Sequence, residues 1–427
     1  MILSAEYGQT DVTICDIQKR NVKRGTGTVR VLHIGKFFPP VTGGIENFLG
    51  DLLPALKRAG VTAAGLVHDA PGGAGGPLQD NDLEIYRVPC HGTLLYAPVS
   101  PMFPWIMQKA IRSFKPDILH FHVPNTSAFW ALVLPAAIRL PWVIHWHADV
   151  VPSAIDRRMA IAYHFYRPVE ALLLRRAQAV VATSESYLAT SCALSGYRDK
   201  CRIVPLGLDL KRLKLPDAEA AKWADAQWGK PDGRILVIGR LTYYKGHDVM
   251  LDAATTLPDV RIIIVGDGDR ESFLERRIRE MALENRVSLL KAMPESALHA
   301  LLASCDCLCL PSVERTEAFG LVLLEAMRYG KPVVASNIPG SGIGWVVRDE
   351  VTGYLTHPGD PTSLANAIQR VFRDEKRRLQ MGKNAQERFL EVFQIDHVAQ
   401  DVILVYDHIM KSLPRYTTFP HADMLHK

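Results

Sequence analysis

The chain has 427 residues, 48% of them hydrophobic and 22% charged, with a formal net charge of +5. This is a soluble globular composition, and at roughly 100–200 residues per domain the length suggests two or three domains. No run of five or more basic residues occurs, which excludes the electrostatic footprint of a nucleic-acid partner; the longest apolar run, FWALVLPAAI (129–138), falls well short of the roughly 18–20 residues that span a bilayer.

Residues 1–28 are polar, lack periodicity and have no apolar segment behind a basic start, so a flexible extension is expected there rather than a secretory signal. The seven cysteines are scattered and odd in number, as reduced thiols would be, and the cytoplasm is the expected compartment. From residue 29 onward short apolar runs alternate with helix-spaced segments. They are VRVLHIG (29–35), DILHFH (117–122), PWVIHWH (141–147) and AVVATS (179–184), then RILVIG (234–239), RIIIVGDG (261–268), CLCLPS (307–312) and PVVASN (332–337). Continuous apolar strands separated by helices make parallel sheet buried on both faces, the α/β class. Between the first two runs, DAPGGAGGPLQDND (69–82) predicts a mobile glycine-rich loop. PWIMQKAIRSFKP (104–116) predicts a helix with Lys109, Arg112 and Lys115 near one face and apolar residues on the other. That pattern suits an ordinary surface helix or a contact with anionic headgroups. The series breaks at the polar KRLKLPDAEAAKWADAQWGKPDGR (211–234) and then resumes. The expected organisation is an extension at 1–28, a domain at 29–206, a linker at 207–230, a second domain at 231–392 and a C-terminal segment at 393–427. Two doubly wound domains facing a cleft are the simplest architecture.

Ligands of open parallel sheets bind beyond the carboxyl ends of the strands, which directs attention to the segments just after each run. After the first strand, Gly43 and Gly44 precede a helix-like run, where backbone N–H groups can approach a phosphate; a plain turn is the alternative. No Gly-Lys-Ser/Thr follows, so this is not a P-loop. In HWHAD, His145, His147 and Asp149 fall on one side if the strand continues, but no third ligand at metal spacing accompanies them. One imidazole facing the cleft as a hydrogen-bonding or proton-handling group is expected, and His120 and His122 are expected to be structural. In GRLTYYKG (239–246), Arg240 and Lys245 suit a diphosphate, with a solvated turn as the alternative. IVGDGDRE lacks the further glycine of a dinucleotide fingerprint; Asp267 and Asp269 could hold a divalent cation, but capping of the next helix by Asp269 is expected instead. Cys305, Cys307 and Cys309 are expected to pack in the core from one strand face. In ERTEAFGLVLLEA (314–326), Glu317 lies ahead of a helix whose N–H groups at Phe319, Gly320 and Leu321 are open to oxygens. Glu325 lies inside that helix and needs donors if buried. Two acids opposite a cationic loop match a ligand that is part sugar and part phosphate.

These residues resemble the retaining nucleotide-sugar glycosyltransferases of family 4, which have the GT-B fold of two Rossmann-like domains. The family's E-x7-E pair appears as Glu317 and Glu325, its arginine and lysine as Arg240 and Lys245, its glycine loop as PPVTGGIE and its first-domain histidine as His147. VATSES (181–186), VPLGLD (204–209) and TGYLTHPGD (352–360) follow in the family's order. The resemblance implies that Arg240 and Lys245 hold the donor diphosphate without a required metal or other cofactor. It places Glu317 on the transferred sugar, Glu325 on the ribose, the backbone near Met293 on the base, His147 near the scissile bond, and Gly43 and Gly44 opposite the diphosphate. A C-terminal helix, over 396–411, would cross back to the first domain. Two departures stand out: Leu206 where asparagine is common, and NIPGSGIGWV (337–346) where many members carry Gly-Gly-x-x-Glu. The second, with HWHAD, resembles bacterial O-antigen and exopolysaccharide mannosyltransferases. The implied reaction moves a sugar, best GDP-mannose's, to a lipid-linked oligosaccharide in the cytoplasm, with possible peripheral contact at an anionic inner membrane. A nucleotide-sugar isomerase or epimerase on the same architecture is the alternative.

Overall fold

The computed structural model of the protein describes residues 28–41, 43–70, 76–80, 83–94, 97–150 and 157–412. The extension expected at 1–28 therefore lies outside the described residues up to residue 27, and the tail lies outside them beyond Ser412. The first sheet contains β1 (Arg30–Ile34), β2 (Thr62–His68), β3 (Gly76–Asp80) and β4 (Leu83–Val88). A two-stranded ribbon, β5 (Thr93–Leu94) and β6 (Ala97–Pro98), comes next, and the sheet is completed by β7 (Ile118–Val123), β8 (Trp142–Trp146), β9 (Ala179–Ala182) and β10 (Cys201–Ile203). Its order is β10-β9-β8-β7-β1-β2-β4-β3, and every pairing is parallel except that of β3 with β4. The second sheet, order β13-β12-β11-β14-β15-β16, is parallel throughout. It comprises β11 (Gly233–Ile238), β12 (Val260–Val265), β13 (Val287–Leu290), β14 (Cys307–Leu310), β15 (Val333–Ser336) and β16 (Gly353–Thr356).

All eight apolar runs form strands at these places, because an uninterrupted Val/Ile/Leu run is stable where helices cover both faces. The sequence reading does not include β2 or β4. TAAGLVH in β2 places the weak strand formers Ala63, Ala64 and Gly65 at its centre, yet it is buried between β1 and β4. The glycine-rich stretch read as one loop is also corrected in part: Gly76–Asp80 is an antiparallel edge strand on β4.

Helices cover the sheets in chain order. The first domain has α1 (Gly44–Arg58), α2 (Phe103–Phe114), α3 (Pro135–Ile138), α4 (Arg157–Arg176) and α5 (Glu185–Thr190). Next come α6 (Ala218–Trp228), α7 (His247–Ala254), α8 (Glu271–Glu280), α9 (Glu295–Ser304) and α10 (Leu321–Arg328), then α11 (Ile343–Val346), α12 (Pro361–Arg373), α13 (Glu375–Arg388) and α14 (Ile395–Ser412). The polar stretch read as a linker contains α6. Asp217 caps it by accepting from the Ala220 N–H, and its apolar stripe packs on α9, with the Trp228 indole N–H donating to Ser304 at 2.9 Å.

Two chain crossings join the sheets, and they run together. Leu208 and Gln394 form an isolated bridge, with the Leu208 N–H donating to Phe393 at 3.0 Å and the Ile395 N–H donating to Leu208 at 3.1 Å. Gly207 makes this approach possible, since a Cβ there would lie 2.7 Å from the Phe393 carbonyl oxygen. Beyond the crossing α14 packs on α1, and its Tyr406 reaches into the first sheet.

Strand order reverses between β1 and β7 in one sheet and between β11 and β14 in the other. Crevices at such switch points are where ligands bind in this class. The segments following β1, β11 and β14 carry Gly43 and Gly44, Arg240 and Lys245, and Glu317, and His122 lies near the carboxyl end of β7.

Candidate active site

On the C-terminal side the site begins where β11 ends. GRLTYYKG turns tightly because its neighbours lack side chains: a Cβ on Gly266 would lie 1.9 Å from the Gly239 carbonyl oxygen, and one on Gly268 2.4 Å from that of Leu241. Asp267 ties this turn to the next loop, its carbonyl accepting from Leu241 and its carboxylate from the Ala292 N–H at 3.1 Å, beside Met293. Gly246 adopts φ +66 and packs against Pro311, while the Tyr244 carbonyl accepts from the Val313 N–H. The turn is thus fixed to the end of β14, and Lys245 is delivered to Glu317.

The Lys245 ammonium donates to Glu317 Oε2 at 2.6 Å, and the Ser312 hydroxyl donates to the same oxygen at 3.0 Å. Both charged side chains are buried, 14% and 11% exposed. Burial pulls the Lys245 pKa down, but the Glu317 carboxylate outweighs it and the net shift is upward, so the lysine stays charged. Arg240 is exposed beside this pair, its guanidinium donating to the Tyr244 hydroxyl at 3.3 Å. A buried ion pair with an exposed cation next to it could receive an anionic ligand.

The backbone around Glu317 is clasped by the segment that departs from the family pattern. The Ser341 hydroxyl donates to the Glu317 carbonyl at 2.5 Å and the Gly342 N–H to the Ala318 carbonyl at 2.7 Å. Phe319 is buried, Gly320 takes φ +80 as the N-cap of α10, and no side chain caps that helix, leaving N–H groups from Leu321 onward for a ligand. Glu325, one turn into α10, finds a counter-charge in the linker: Arg212 lies 3.8 Å from it, 3.6 Å from Glu295 and 3.1 Å from Asp51 of α1, to which it donates. Burial raises the Glu325 pKa and Arg212 opposes the rise.

On the N-terminal side Gly43 caps α1, and a Cβ on Gly44 would lie 3.4 Å from the Leu321 side chain, so the two helix N-termini meet across the cleft. The Glu46 carboxylate curls back against Gly43. Burial raises its pKa, opposed by Lys36 of the same domain and Arg240 of the other. His147, 4% exposed, is not alone. His33 on β1, His120 and His122 on β7, and His145 on β8 share its sheet face, all buried. Burial is the main cause that lowers all five pKa values, His122 to about 3, so the rings are neutral.

Three expectations are corrected here. Asp149 does not join His145 and His147, because β8 ends at Trp146 and the chain turns. Its carboxylate accepts from the Trp146 indole and the Ser191 hydroxyl on the opposite side and pairs with Arg315 at 2.6 Å. A third imidazole does accompany the pair, since His122 comes from the neighbouring strand, where sequence spacing is blind. Two histidine triplets gather ring nitrogens within 4.8 Å. Their rings stack, however, His145 on His147 at 4.4 Å and 4°, and a metal must lie in the plane of each ligand ring. Finally, Asp269 does not cap α8, which begins at Glu271 after Arg270 with no side-chain cap. Among the cysteines, Cys307 and Cys309 share one face of β14, whereas Cys305 precedes the strand and packs in a different cluster; burial raises all three thiols.

Arg212, Arg315, Glu46 and Lys36 carry no motif signal. Arg315 stands two residues before Glu317 and reaches across the cleft to Asp149, to the Tyr187 carbonyl at 3.1 Å and over the Tyr187 ring at 4.1 Å. The loops bearing Glu317 and His147 are thereby latched together. Ala318 belongs to the packing cluster of the first domain.

The family described as "Glycosyl transferases group 1" matches residues 222–388, and the "Glycosyl transferase 4-like domain" matches residues 43–207. The O-antigen chain mannosyltransferase C of Escherichia coli is 29% identical over 392 residues, 90% of this chain and 100% of that protein. The D-rhamnosyltransferase WbpZ of Pseudomonas aeruginosa is 30% identical over 280 residues, 65% of this chain and 70% of that protein. Among solved structures, a sucrose-phosphate synthase from Thermosynechococcus elongatus superposes with a TM-score of 0.75 at 23% identity, covering 90% of this chain and all of that one.

Proposed function

The chain belongs to the group 1 glycosyltransferases of GT-B fold, and from that premise we propose that it transfers mannose from GDP-mannose, with retention, to a lipid-linked saccharide during bacterial polysaccharide assembly. The observation that carries the reading is the buried Lys245–Glu317 pair beside Arg240, facing the Gly43–Gly44 helix start. As the bond from anomeric carbon to phosphate oxygen lengthens, negative charge grows on the leaving diphosphate and positive charge on the sugar. Arg240 and Lys245 neutralise the first, aided by N–H groups at both helix starts. Glu317, held by Lys245 and Ser312, offers its remaining lone pairs to sugar hydroxyls. Glu325 does the same for ribose with Arg212 behind it, and backbone near Met293 meets the base. His147 stands on the acceptor side. With two fixed cations at the diphosphate, activity is expected to persist in chelator.

The manno preference is supported by the names of the two relatives, since D-rhamnose is 6-deoxy-D-mannose and shares mannose's axial 2-hydroxyl. The lipid-linked acceptor is supported by the surface of the first domain. Trp105, 74% exposed, lies one turn from Lys109 and two from Arg112, so it joins the basic face of α2 rather than the buried one. Phe165 of the neighbouring α4 is 77% exposed. Aromatic and basic side chains together suit an anionic membrane surface, and no described helix is long and apolar enough to cross one.

Thermal shift against a panel of nucleotide sugars, followed by transfer assays with and without chelator, tests the proposal. GDP-mannose should raise Tm in a concentration-dependent way, and transfer should need an acceptor. Stabilisation by uridine-linked sugars alone would remove the donor assignment, and epimerised donor without acceptor would favour the isomerase.

A further inference from the structure

Four of the five buried imidazoles are connected, and the connection runs through the crossing helix. His147 Nε2 lies 3.0 Å from His122 Nδ1, and His122 Nε2 lies 3.0 Å from His33 Nδ1. His33 Nε2 lies 3.3 Å from the Tyr406 hydroxyl, which is 2.6 Å from His120 Nδ1. A neutral imidazole has one N–H and one lone pair, and a hydroxyl has one O–H to give. Each link therefore needs a donor on one side and an acceptor on the other, and among His147, His122 and His33 the direction of one link fixes the other. The Tyr406 oxygen can accept from both its rings, but that leaves its buried O–H without a partner; two arrangements spend that O–H within the chain. In one, His147 donates inward from Nε2, the links follow in the same sense, Tyr406 donates to His120, and His147 Nδ1 is left as an acceptor. In the other, His120 Nδ1 donates to Tyr406, Tyr406 to His33, His33 to His122 and His122 to His147 Nε2, so that His147 carries its proton on Nδ1.

His147 Nδ1 is buried and has no partner among the described residues, so the nitrogen whose state the chain decides is the one left for a ligand. His145, stacked on His147, is also without partners at either nitrogen and cannot relay to it. We infer that Tyr406, with His33 and His122, is a positioning group that sets the tautomer of His147 and so decides whether Nδ1 meets a ligand as donor or acceptor. The tautomer coupling follows from the hydrogen-bond geometry alone. Its catalytic consequence rests on the reading of His147 as a residue of the transfer site.

Full-length protein labelled with ring-15N histidine, with His147 assigned through His147→Gln, tests this by two-bond proton–nitrogen correlation, which separates the two tautomers. Wild type should show one dominant His147 tautomer. Tyr406→Phe, which removes a single oxygen, should convert it to a mixture and lower kcat by roughly tenfold at unchanged donor KM. Should that variant misfold, His33→Asn interrupts the same chain one link further on and is expected to give the same spectrum. His147 signals unchanged in the variant, or a stoichiometric metal ion bound by the wild-type rings, would overturn the inference. A His147→Ala protein that transfers sugar at the wild-type rate would instead remove the catalytic reading and leave the tautomer result standing.

Discussion

On the C-terminal side of the cleft the functional groups are buried as charges, whereas on the N-terminal side they are buried as neutral rings. Lys245 and Glu317 are each little exposed, yet the Glu317 carboxylate beside it keeps the Lys245 ammonium charged. The five histidines have no acid among them, so desolvation wins and they stay uncharged. The difference teaches that burial by itself does not decide ionisation; a partner of opposite charge at hydrogen-bond distance does. It also divides labour in the proposed reaction, with fixed charge at the diphosphate and uncharged hydrogen bonding toward the acceptor.

Acid should break the comparison most forcefully. The folded histidines have pKa values below their unfolded value near 6.5, so below that pH the unfolded chain binds more protons and stability falls as pH falls. Each contributes up to about 1.4 kcal/mol per pH unit in that range. Glu170 acts in the opposite sense: raised to about 7, mainly by burial, it lowers stability as pH rises from its unfolded value toward 7. Glu46, Asp51, Glu325 and Asp401, also raised by burial, share its sign, while His68, His247 and His299 are lowered like the five. Eight imidazoles stand against five acids, and urea midpoints measured from pH 7.5 to 5.5 should drop; a flat profile would mean the rings are not buried as neutral groups.

Lys245→Ala should come next. It removes a phosphate ligand and leaves Glu317 without its counter-charge, so kcat/KM should fall by roughly 10²–10³ and Tm should also fall. Glu317→Gln, which keeps a polar group beside Lys245 without the charge, should lose activity with a smaller loss of Tm. Equal, undiminished activity in both would end the case for charge on this side.

The smallest expected effect concerns the contact between the halves. Arg315→Ala frees the loops carrying Glu317 and His147 from each other, and a drop of about tenfold in kcat is expected, with a modest fall in Tm because the guanidinium also gives up the Tyr187 carbonyl and ring. Double replacement with Asp149→Asn should add little to either single change, since both remove the same latch; full additivity would show the two residues act separately.

The candidate site was legible in the sequence where chemistry and spacing are local. Arg240 and Lys245 close one short turn, Gly43 and Gly44 open one helix, and Glu317 and Glu325 bracket another. The α/β class was legible for the same reason, because strands buried on both faces are written as continuous apolar runs. β2 escaped because alanine and glycine carry almost no strand signal, and α6 escaped because its apolar stripe is thin within a polar stretch.

Arg315 and Arg212 read as ordinary loop cations, and their importance comes from Asp149, 166 positions away, and Asp51, 161 positions away. The same holds for the histidines. HFH and HWH look like two separate pairs until β1, β7 and β8 lie side by side in parallel register, with His33 opposite His120 and His122 opposite His145. The sequence by itself determined which side chains could carry charge, protons or phosphate and on which elements they ride, since these follow from composition and periodicity along the chain. Only the tertiary structure decided which of them are partnered, and hence which stay ionised, because hydrogen bonds and desolvation depend on distances that folding alone creates.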